Sequence, residues 1–495
     1  MKNQPTPLLK REVIKTSPVI VGIATGLYPL LYNYYTNFTL VDSVSQFLFF
    51  IAFFLLLPVA INVFLKFLSK KVAFISKNYL LLLSISNIVG FAALITFSLI
   101  GPKKKLILLV IILTVGLAFL LKNHLKKVII LEYILALIVA IQLGLYVGNN
   151  INFSSEWTRL PDTISETNFK KKPNVYIIQP DGYANSNALK KKPYNINNSE
   201  FEYFLTENNF KIYPNFRSNY TNTIASNSSM FAMKHHFYKK PKPNTNEPYG
   251  LRKSIASNNA VVSIFNKNDY RTSLIIESPY VIINRPTLGY DYCSISYKEL
   301  SFLSRGFDMA VNSLNEMEKI MEENKNQANF YFIEKIIPGH IAVTKTQSKG
   351  KEEERKMYIE DLEKANVWMR EMIALITKKD PSALIVIVAD HGGFVGLNYT
   401  GERYKKITDP KLINSIFAAT LAIRWPNNEI PEFDNELKTN VNLFRILFSY
   451  LAENDIYLNS IEKDESFLIV GEDAPFGVYK VIDGNGKFVF KNLSL

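Results

Sequence analysis

The sequence predicts a chain of two parts: an α-helical transmembrane part of about five helices, followed by an α/β domain with a largely parallel central sheet. Three observations carry this expectation. Apolar residues make up 48% of the 495 residues and crowd into the first third as long uninterrupted runs. Beyond residue 173, short β-branched or aromatic runs alternate with longer stretches of helical period. Two of the short runs lead directly into loops that carry carboxylates, and the carboxyl ends of strands are where open α/β sheets gather function.

Taken in order, the apolar runs are 18–35, 44–64, 79–100, 106–121 and 128–147. Each is near the roughly 20 residues that a helix needs to cross a bilayer, with 106–121 the shortest. Lys10, Arg11 and Lys15 precede the first run, Lys70, Lys71 and Lys77 follow the second, and Lys122, Lys126 and Lys127 separate the fourth from the fifth. Basic clusters stay on the cytoplasmic side, so the amino terminus is expected inside and everything after the fifth run outside. Lys103–Lys105 falls on the opposite side in this scheme; if one of its flanking runs did not cross, the soluble domain would be inverted. The first run has no small-residue cleavage site after it and further runs follow, so it reads as an anchor rather than a signal peptide.

Charge separates the same two parts. The first 150 residues carry 14 lysines and arginines against three acidic side chains, which leaves 43 basic and 41 acidic residues for the other 345. The net charge of +13 is therefore largely a membrane feature. A nearly neutral soluble part lacks the basic footprint of a nucleic-acid binder. Cys293 is the single cysteine, which excludes an intramolecular disulfide and a thiolate metal cluster.

The domains are thus expected at 1–148 for the membrane part, 149–173 for a polar linker rich in Asn, Ser and Thr, and 174–495 for the soluble part. Asn-x-Ser/Thr triplets at Asn152 and Asn398 are what an Asn-rich chain contains by chance. In the soluble part, 175–178, 272–276, 330–333 and 384–388 read as strands, and 200–207, 307–324 and 353–378 as helices. Alternation of this kind argues for a sandwich around a mostly parallel sheet. Residues 479–490 alternate around Asp483-Gly484-Asn485-Gly486, a hairpin signature.

The first strand runs into Gln179-Pro180-Asp181-Gly182-Tyr183 and the 384–388 strand into Ala389-Asp390-His391-Gly392-Gly393. Neighbouring strand ends are only about 5 Å apart, so these side chains can converge on one cation. Carboxylate oxygen with imidazole nitrogen suits Zn, Mn or Fe better than Ca. Each feature also has a plainer reading: Asp181-Gly182 as turn chemistry, Asp390 as a helix cap. A turn, however, has no need of a histidine after the aspartate.

Residues 174–183, 217–233 and 388–393 resemble the alkaline-phosphatase and sulfatase superfamily. The likeness is to its membrane-anchored branch, which includes the phosphoethanolamine transferases and lipoteichoic acid synthase and sets about five helices before an extracytoplasmic sulfatase-like domain. The resemblance implies that Asp181 is the first metal carboxylate and that Asp390 and His391 complete the site. It also implies that Thr223, in Thr223-Ile224-Ala225-Ser226-Asn227-Ser228-Ser229-Met230-Phe231, is both nucleophile and metal ligand. A hydroxyl at a helix start lies in the positive end of the backbone dipole, which favours the alkoxide; such a threonine can equally be an N-cap. His340, in Ile337-Pro338-Gly339-His340, resembles a substrate-side histidine that orients phosphate or protonates a leaving group. His235 and His236 read as structural. Weaker substrate contacts are expected from Asn219 and from the 394–406 loop, where Arg403, Lys405 and Lys406 suit phosphate.

Departures from the family pattern narrow the chemistry. A sulfatase needs Cys or Ser where this chain has Thr223, and Arg where it has Asn227, which argues against sulfate-ester hydrolysis. Some relatives place another metal-binding histidine beyond the Asp-His-Gly motif and none follows His391 here, so the resemblance implies one divalent ion, Zn or Mn. The expected function is a membrane-bound, metal-dependent phosphotransferase. It moves a phospho-alcohol of the phosphoethanolamine or phosphoglycerol type from a membrane lipid donor to an envelope lipid or glycan acceptor, through a phosphothreonine. The expected location is a bacterial inner or plasma membrane, with several spans and the catalytic domain outside. Two other readings stay open: a phosphoric or sulfuric ester hydrolase of the same fold, and a lipid-binding pseudoenzyme.

Overall fold

The computed structural model describes residues 17–101, 103–151, 155–239, 241 and 247–493. The basic cluster Lys10, Arg11 and Lys15 and the triplet at Asn152 lie outside the described residues. Contacts divide the chain into two compact units, one of residues up to Phe153 with Ser301–Arg305, the other of Ser154–Leu300 with Gly306–Leu495.

The first unit holds five long helices at the five apolar runs: α1 (Pro18–Asn37), α2 (Val44–Ser69), α3 (Ala73–Ile100), α4 (Lys104–Leu121) and α5 (Leu125–Ile151). By length and hydropathy, three segments are candidate membrane spans: Val44–Ser69, Ala73–Ile100 and Lys104–Gly148. The expected five crossings are thus met by five helices but three candidate spans. Only the short turn Lys122–His124 separates α4 from α5, so the two form one 45-residue apolar segment. The first helix is long enough, but Tyr32, Asn33, Tyr34, Tyr35 and Asn37 dilute its second half.

Packing in this unit is inside out. Leu108, Ile112, Leu113 and Leu120 are exposed while Thr25, Asn87 and Glu132 are buried. The Asn87 amide donates to Thr25 Oγ1 at 2.9 Å and to Glu132 Oε2 at 2.8 Å, tying together α1, α3 and α5. Small residues let the backbones approach: a Cβ on Gly26 of α1 would lie 1.5 Å from the Phe54 carbonyl oxygen, where α2 widens into a π turn at Ala52–Leu56.

The second unit is built on a seven-stranded sheet of strands β1 (Val175–Pro180), β2 (Lys211–Ile212), β3 (Arg271–Ile276), β4 (Tyr292–Cys293), β5 (Asn329–Lys335), β6 (Leu384–Val388) and β7 (Leu421–Arg424). Their order is β2-β7-β6-β1-β5-β3-β4. Strands β6, β1, β5, β3 and β4 run parallel, and β7 and β2 join antiparallel at one edge. Every residue of β1 and β6 is buried, as expected of central strands covered on both faces. A second sheet, β8 (Ser466–Val470), β9 (Gly477–Ile482) and β10 (Phe488–Asn492), contains the expected hairpin, its turn closed by Asp483 Oδ1, which accepts from the amides of Asn485 and Lys487.

Two details differ from the sequence reading. The helix expected over 307–324 starts at Ser313, because the Asn312 side chain accepts from the amides of Leu314 and Asn315 and caps it there. Residues 155–173, expected as part of a linker, lie along the second unit: Ile164 and Phe169 are buried in its core, Asn268 bonds the Phe169 amide, and Leu451 O accepts from the amides of Lys170 and Lys171. Four apolar side chains, Trp157, Leu160, Ile164 and Phe169, pack a stretch whose average composition is polar onto the core.

Candidate metal centre

Three loops at the carboxyl ends of the parallel strands meet. Asp181 follows β1, Asp390 and His391 follow β6, and the 336–341 loop follows β5. Gly339 N donates to Asp181 O at 2.9 Å, and Gly182 stands so close that a Cβ would lie 2.1 Å from Gly339 O. Its φ of +67° also belongs to glycine. Tyr194 and Tyr358 secure the other side. Gly393 N donates to Tyr194 Oη at 2.7 Å, and Tyr358 Oη donates to Gly182 O at 2.9 Å.

Asp181, Asp390 and His391 are buried, and one ligand atom of each lies within 4.8 Å of the others. His391 Nε2 is 3.3 Å from Asp390 Oδ2 and 3.9 Å from Asp181 Oδ1. Those two carboxylate oxygens are buried without any hydrogen-bond partner. Their sister oxygens are occupied: Asp390 Oδ1 accepts from the amides of Gly182 and His391 at 3.0 Å each, and Asp181 Oδ2 accepts from Thr223 Oγ1 at 3.2 Å. His391 Nδ1 is 2.9 Å from Gly392 O, which assigns its proton to Nδ1 and leaves the Nε2 lone pair facing the carboxylates. An unpaired buried carboxylate oxygen is costly in a native core, and two of them opposite an imidazole lone pair make a cradle for a cation. Burial raises the carboxyl pKa of both Asp181 and Asp390; His391 and Thr223 oppose the rise at Asp181, and the charge of Asp181 adds to it at Asp390. Oxygen and nitrogen donors in this set fit Zn or Mn.

Thr223 is the first residue of helix α6 (Thr223–Ala232) and is buried. The cap of that helix is its neighbour: Asn222 Oδ1 accepts from Ala225 N at 2.8 Å. The Thr223 hydroxyl is thus free of capping and turns to Asp181. Asn227, one turn on, exchanges two amide hydrogen bonds of 2.8 and 2.7 Å with Gln179 of β1 and fixes the helix to the strand.

The other expected residues divide. His340 is exposed beside the buried trio, its ring centre 5.9 Å from that of His391 and its Nδ1 2.7 Å from Ile341 O. Arg403 donates to Thr400 O and Tyr404 Oη. Asn219 does not join the cluster: it is buried with its amide committed to Glu465 O and its oxygen to Val441 N. His235 and His236 bond Lys463 O and Ala225 O, the structural role expected of them. One residue escaped the sequence reading. Glu334 of β5 is buried beside Gln179 in the sheet register, and its Oε1 has no partner. Burial, then the charges of Asp181 and Asp390, push its pKa far up. A lone acid in the apolar strand Phe330-Tyr331-Phe332-Ile333-Glu334 was the available signal.

The chain is therefore a protein with candidate membrane helices and a mostly parallel α/β domain that holds a buried two-carboxylate, one-imidazole cradle at its strand ends. No family model matches the sequence, and no curated protein does. Among solved structures it is similar to the C-terminal periplasmic domain of EcEptC from Escherichia coli, at 12% identity over 68% of this chain and 97% of that one, with a TM-score of 0.41. It is similar to the lipoteichoic acid synthase LtaP from Listeria monocytogenes at 15% identity over 67% and 91%, with a TM-score of 0.43. A third is the integral membrane protein lipooligosaccharide phosphoethanolamine transferase A from Neisseria meningitidis, at 10% identity over 88% and 96%, with a TM-score of 0.40.

Proposed function

We propose that the chain is a membrane-bound phosphotransferase that moves a phospho-alcohol from a lipid to an envelope acceptor through Thr223. The observation that carries this reading is the pair of unpartnered oxygens, Asp181 Oδ1 and Asp390 Oδ2, facing His391 Nε2 with the Thr223 hydroxyl alongside. Asp181, Asp390, His391 and Thr223 would hold one Zn or Mn ion, which supplies charge neutralisation for a phosphoryl group.

In the first half-reaction Thr223 Oγ1 attacks phosphorus. Asp181 Oδ2, which already accepts the hydroxyl hydrogen bond, takes the proton. An Oγ–P bond forms and the bond from phosphorus to the diacylglycerol oxygen breaks. That oxygen takes its proton from water, because desolvation and the charge of His391 hold the His340 pKa down to about 4 and keep the imidazole neutral, fit to act as a base in the second half-reaction and to return that proton to solvent. In the second half-reaction an acceptor hydroxyl loses its proton to His340 and attacks phosphorus, and Thr223 leaves and recovers its proton from Asp181. The helix start at Thr223 contributes its dipole to the anionic oxygen. A membrane anchor suits a lipid donor, because tethering raises the effective concentration of substrate at the site. On this reading the α/β domain faces the outside of a bacterial inner or plasma membrane, and the helices of the first unit span it several times.

Incubation with phosphatidylethanolamine or phosphatidylglycerol labelled in the headgroup phosphate tests the reading. Label is expected on the protein when acceptor is withheld and on the acceptor when it is added, with neither in Thr223→Ala. Label released only into water-soluble products would mean hydrolysis. No turnover of either lipid would end the proposal.

A further inference from the structure

On the second unit, at the amino ends of β1 and β5, a cleft of about 380 Å³ is lined by Asn174, Tyr176, Asn324, Asn329, Tyr331 and Asp380. The last residues of helices α7 (Ser313–Glu323) and α8 (Lys351–Lys379) complete its walls. Tyr176 and Tyr331, on neighbouring strands, stack with ring centres 4.8 Å apart. Asp181 follows the other end of β1, about 20 Å along an extended chain from Asn174. The cleft and the metal centre are therefore separate sites.

Most polar groups of the cleft already have partners. Asp380 Oδ2 accepts from Asn174 Nδ2 at 2.7 Å and from Tyr176 Oη at 3.2 Å, and Asn174 Oδ1 accepts from the Asn329 amide nitrogen of the main chain at 2.8 Å. At the rim Glu322 pairs with Lys379 at 2.9 Å and with Lys325, so these charges offset one another. Asn324 is different. It is 3% exposed, and both its Oδ1 and its Nδ2 lack a hydrogen-bond partner. Asn329 Oδ1 is a second buried acceptor without one, and that side chain cannot be turned round, because its Nδ2 already donates to Asn324 O and Gln327 O. Burial raises the Tyr331 pKa and the Asn324 amide opposes the rise, which sets the Tyr331 hydroxyl beside that amide.

Buried donors and acceptors are almost always paired in a native fold, so an amide with neither end satisfied marks a place for a ligand. The space far exceeds the share of about 30 Å³ that one water takes. Because the rim charges offset one another, the cleft has no call for an anion or a cation. An amide presents a donor and an acceptor side by side, as adjacent hydroxyls of a sugar ring require: one accepts from Nδ2 while the next donates to Oδ1. We infer that this cleft binds a neutral saccharide, a pyranose ring whose vicinal hydroxyls bond the Asn324 amide while others meet Asn329 Oδ1 and the Tyr331 hydroxyl. Such a site tethers the α/β unit to a glycan at the end of the sheet remote from the carboxylates. It does not depend on Thr223 being a nucleophile.

The test is saturation-transfer NMR on the full chain in lauryldimethylamine oxide, a detergent without a sugar headgroup. The probes are the methyl glycosides of glucose, galactose, mannose and N-acetylglucosamine. At least one is expected to bind. Asn324→Ala, which removes a donor and an acceptor, should weaken that binding about tenfold, and Tyr331→Phe about fivefold. Tyr331→Phe keeps the ring stacked on Tyr176, so it probes the hydroxyl even if Asn324→Ala fails to fold; melting temperatures check both. Displacement of the bound glycoside by a soluble trisaccharide of the same sugar, or by vesicles carrying that sugar on diacylglycerol, tells a free glycan from a lipid headgroup, and either supports the site. Binding by none of the four probes would overturn the inference, and so would equal binding by both variants. Tighter binding of glucose 6-phosphate than of methyl glucoside would also overturn it, since the cleft would then select charge. Asp390→Asn should bind the glycoside as the unaltered protein does; loss of binding there would place the sugar at the metal centre and end the proposal.

Discussion

The two units solve opposite problems with the same twenty side chains. In the helical unit Leu113 and Leu120 point outward, and Asn87, Thr25 and Glu132 meet inside. In the α/β unit Ile177, Val386 and their neighbours fill the interior, and Asp181, Asp390 and His391 form a buried polar cluster at the strand ends. The contrast follows from the surroundings each unit is built for. Where lipid is the solvent, apolar exposure costs nothing and an internal hydrogen bond is what tells one helix face from another. Where water is the solvent, apolar burial drives folding and an unpaired buried carboxylate has to be explained by function.

The largest effect that would break this comparison is catalytic. Thr223→Ala should reduce transfer at least about a thousandfold while leaving the fold intact, since the proposed mechanism makes this residue the nucleophile and it does not cap its helix. Steady-state transfer from labelled lipid measures this, and an active Thr223→Ala protein would remove Thr223 from the mechanism. Next in size is the core. All three tryptophans, Trp157, Trp368 and Trp425, lie in the α/β unit, so their fluorescence reports on that unit alone. Ile177→Ala, at a fully buried position of β1, should cost about 3 kcal/mol in denaturant unfolding followed by that signal.

The pH dependence sharpens the comparison from the side of the metal. Burial raises the carboxyl pKa of Asp181 and Asp390, so in the metal-free protein the folded state binds protons more readily than the unfolded chain. That contribution to stability is present at low pH and is lost as pH rises through the raised pKa values. Added Zn or Mn should therefore raise the melting temperature most at about pH 7.5, and progressively less toward about pH 5 as protons compete for the same oxygens. An increment independent of pH would contradict binding by these carboxylates.

The smallest effects belong to the helical unit. Glu132→Ala should cost about 1 kcal/mol, visible as faster hydrogen exchange in α1, α3 and α5, whereas Glu132→Gln keeps an acceptor for Asn87 and should change little. Leu120→Ala, 77% exposed, should shift stability by less than about 0.5 kcal/mol. A large loss there would mean that Leu120 packs against protein after all.

What could be read from the sequence follows the same division. Hydropathy located all five helices, because each is a long, mostly apolar run with few charged residues. It did not foresee that α4 and α5 form one continuous apolar segment or that α1 is diluted by tyrosine and asparagine. In the α/β unit the two central strands and the residues after them were legible, since a fully buried strand is an unbroken apolar run and Asp390-His391 stands at its end. The start of the 313–323 helix was not, because Asn312 caps it inside an otherwise helical pattern. Nor was Glu334, whose neighbours lie on β1 and β3 and meet it only through the sheet register. Spacing in sequence also could not decide whether Thr223 caps its helix; the position of Asn222 does.

Metal content of the purified full chain, measured by mass spectrometry beside Asp390→Asn and His391→Ala, tests the central claim most directly. The cradle of Asp181, Asp390, His391 and Thr223 predicts one Zn or Mn ion per chain, with loss of that ion in both variants while tryptophan fluorescence remains that of folded protein. Equal metal in all three proteins, or none in the unaltered one after reconstitution, would contradict it.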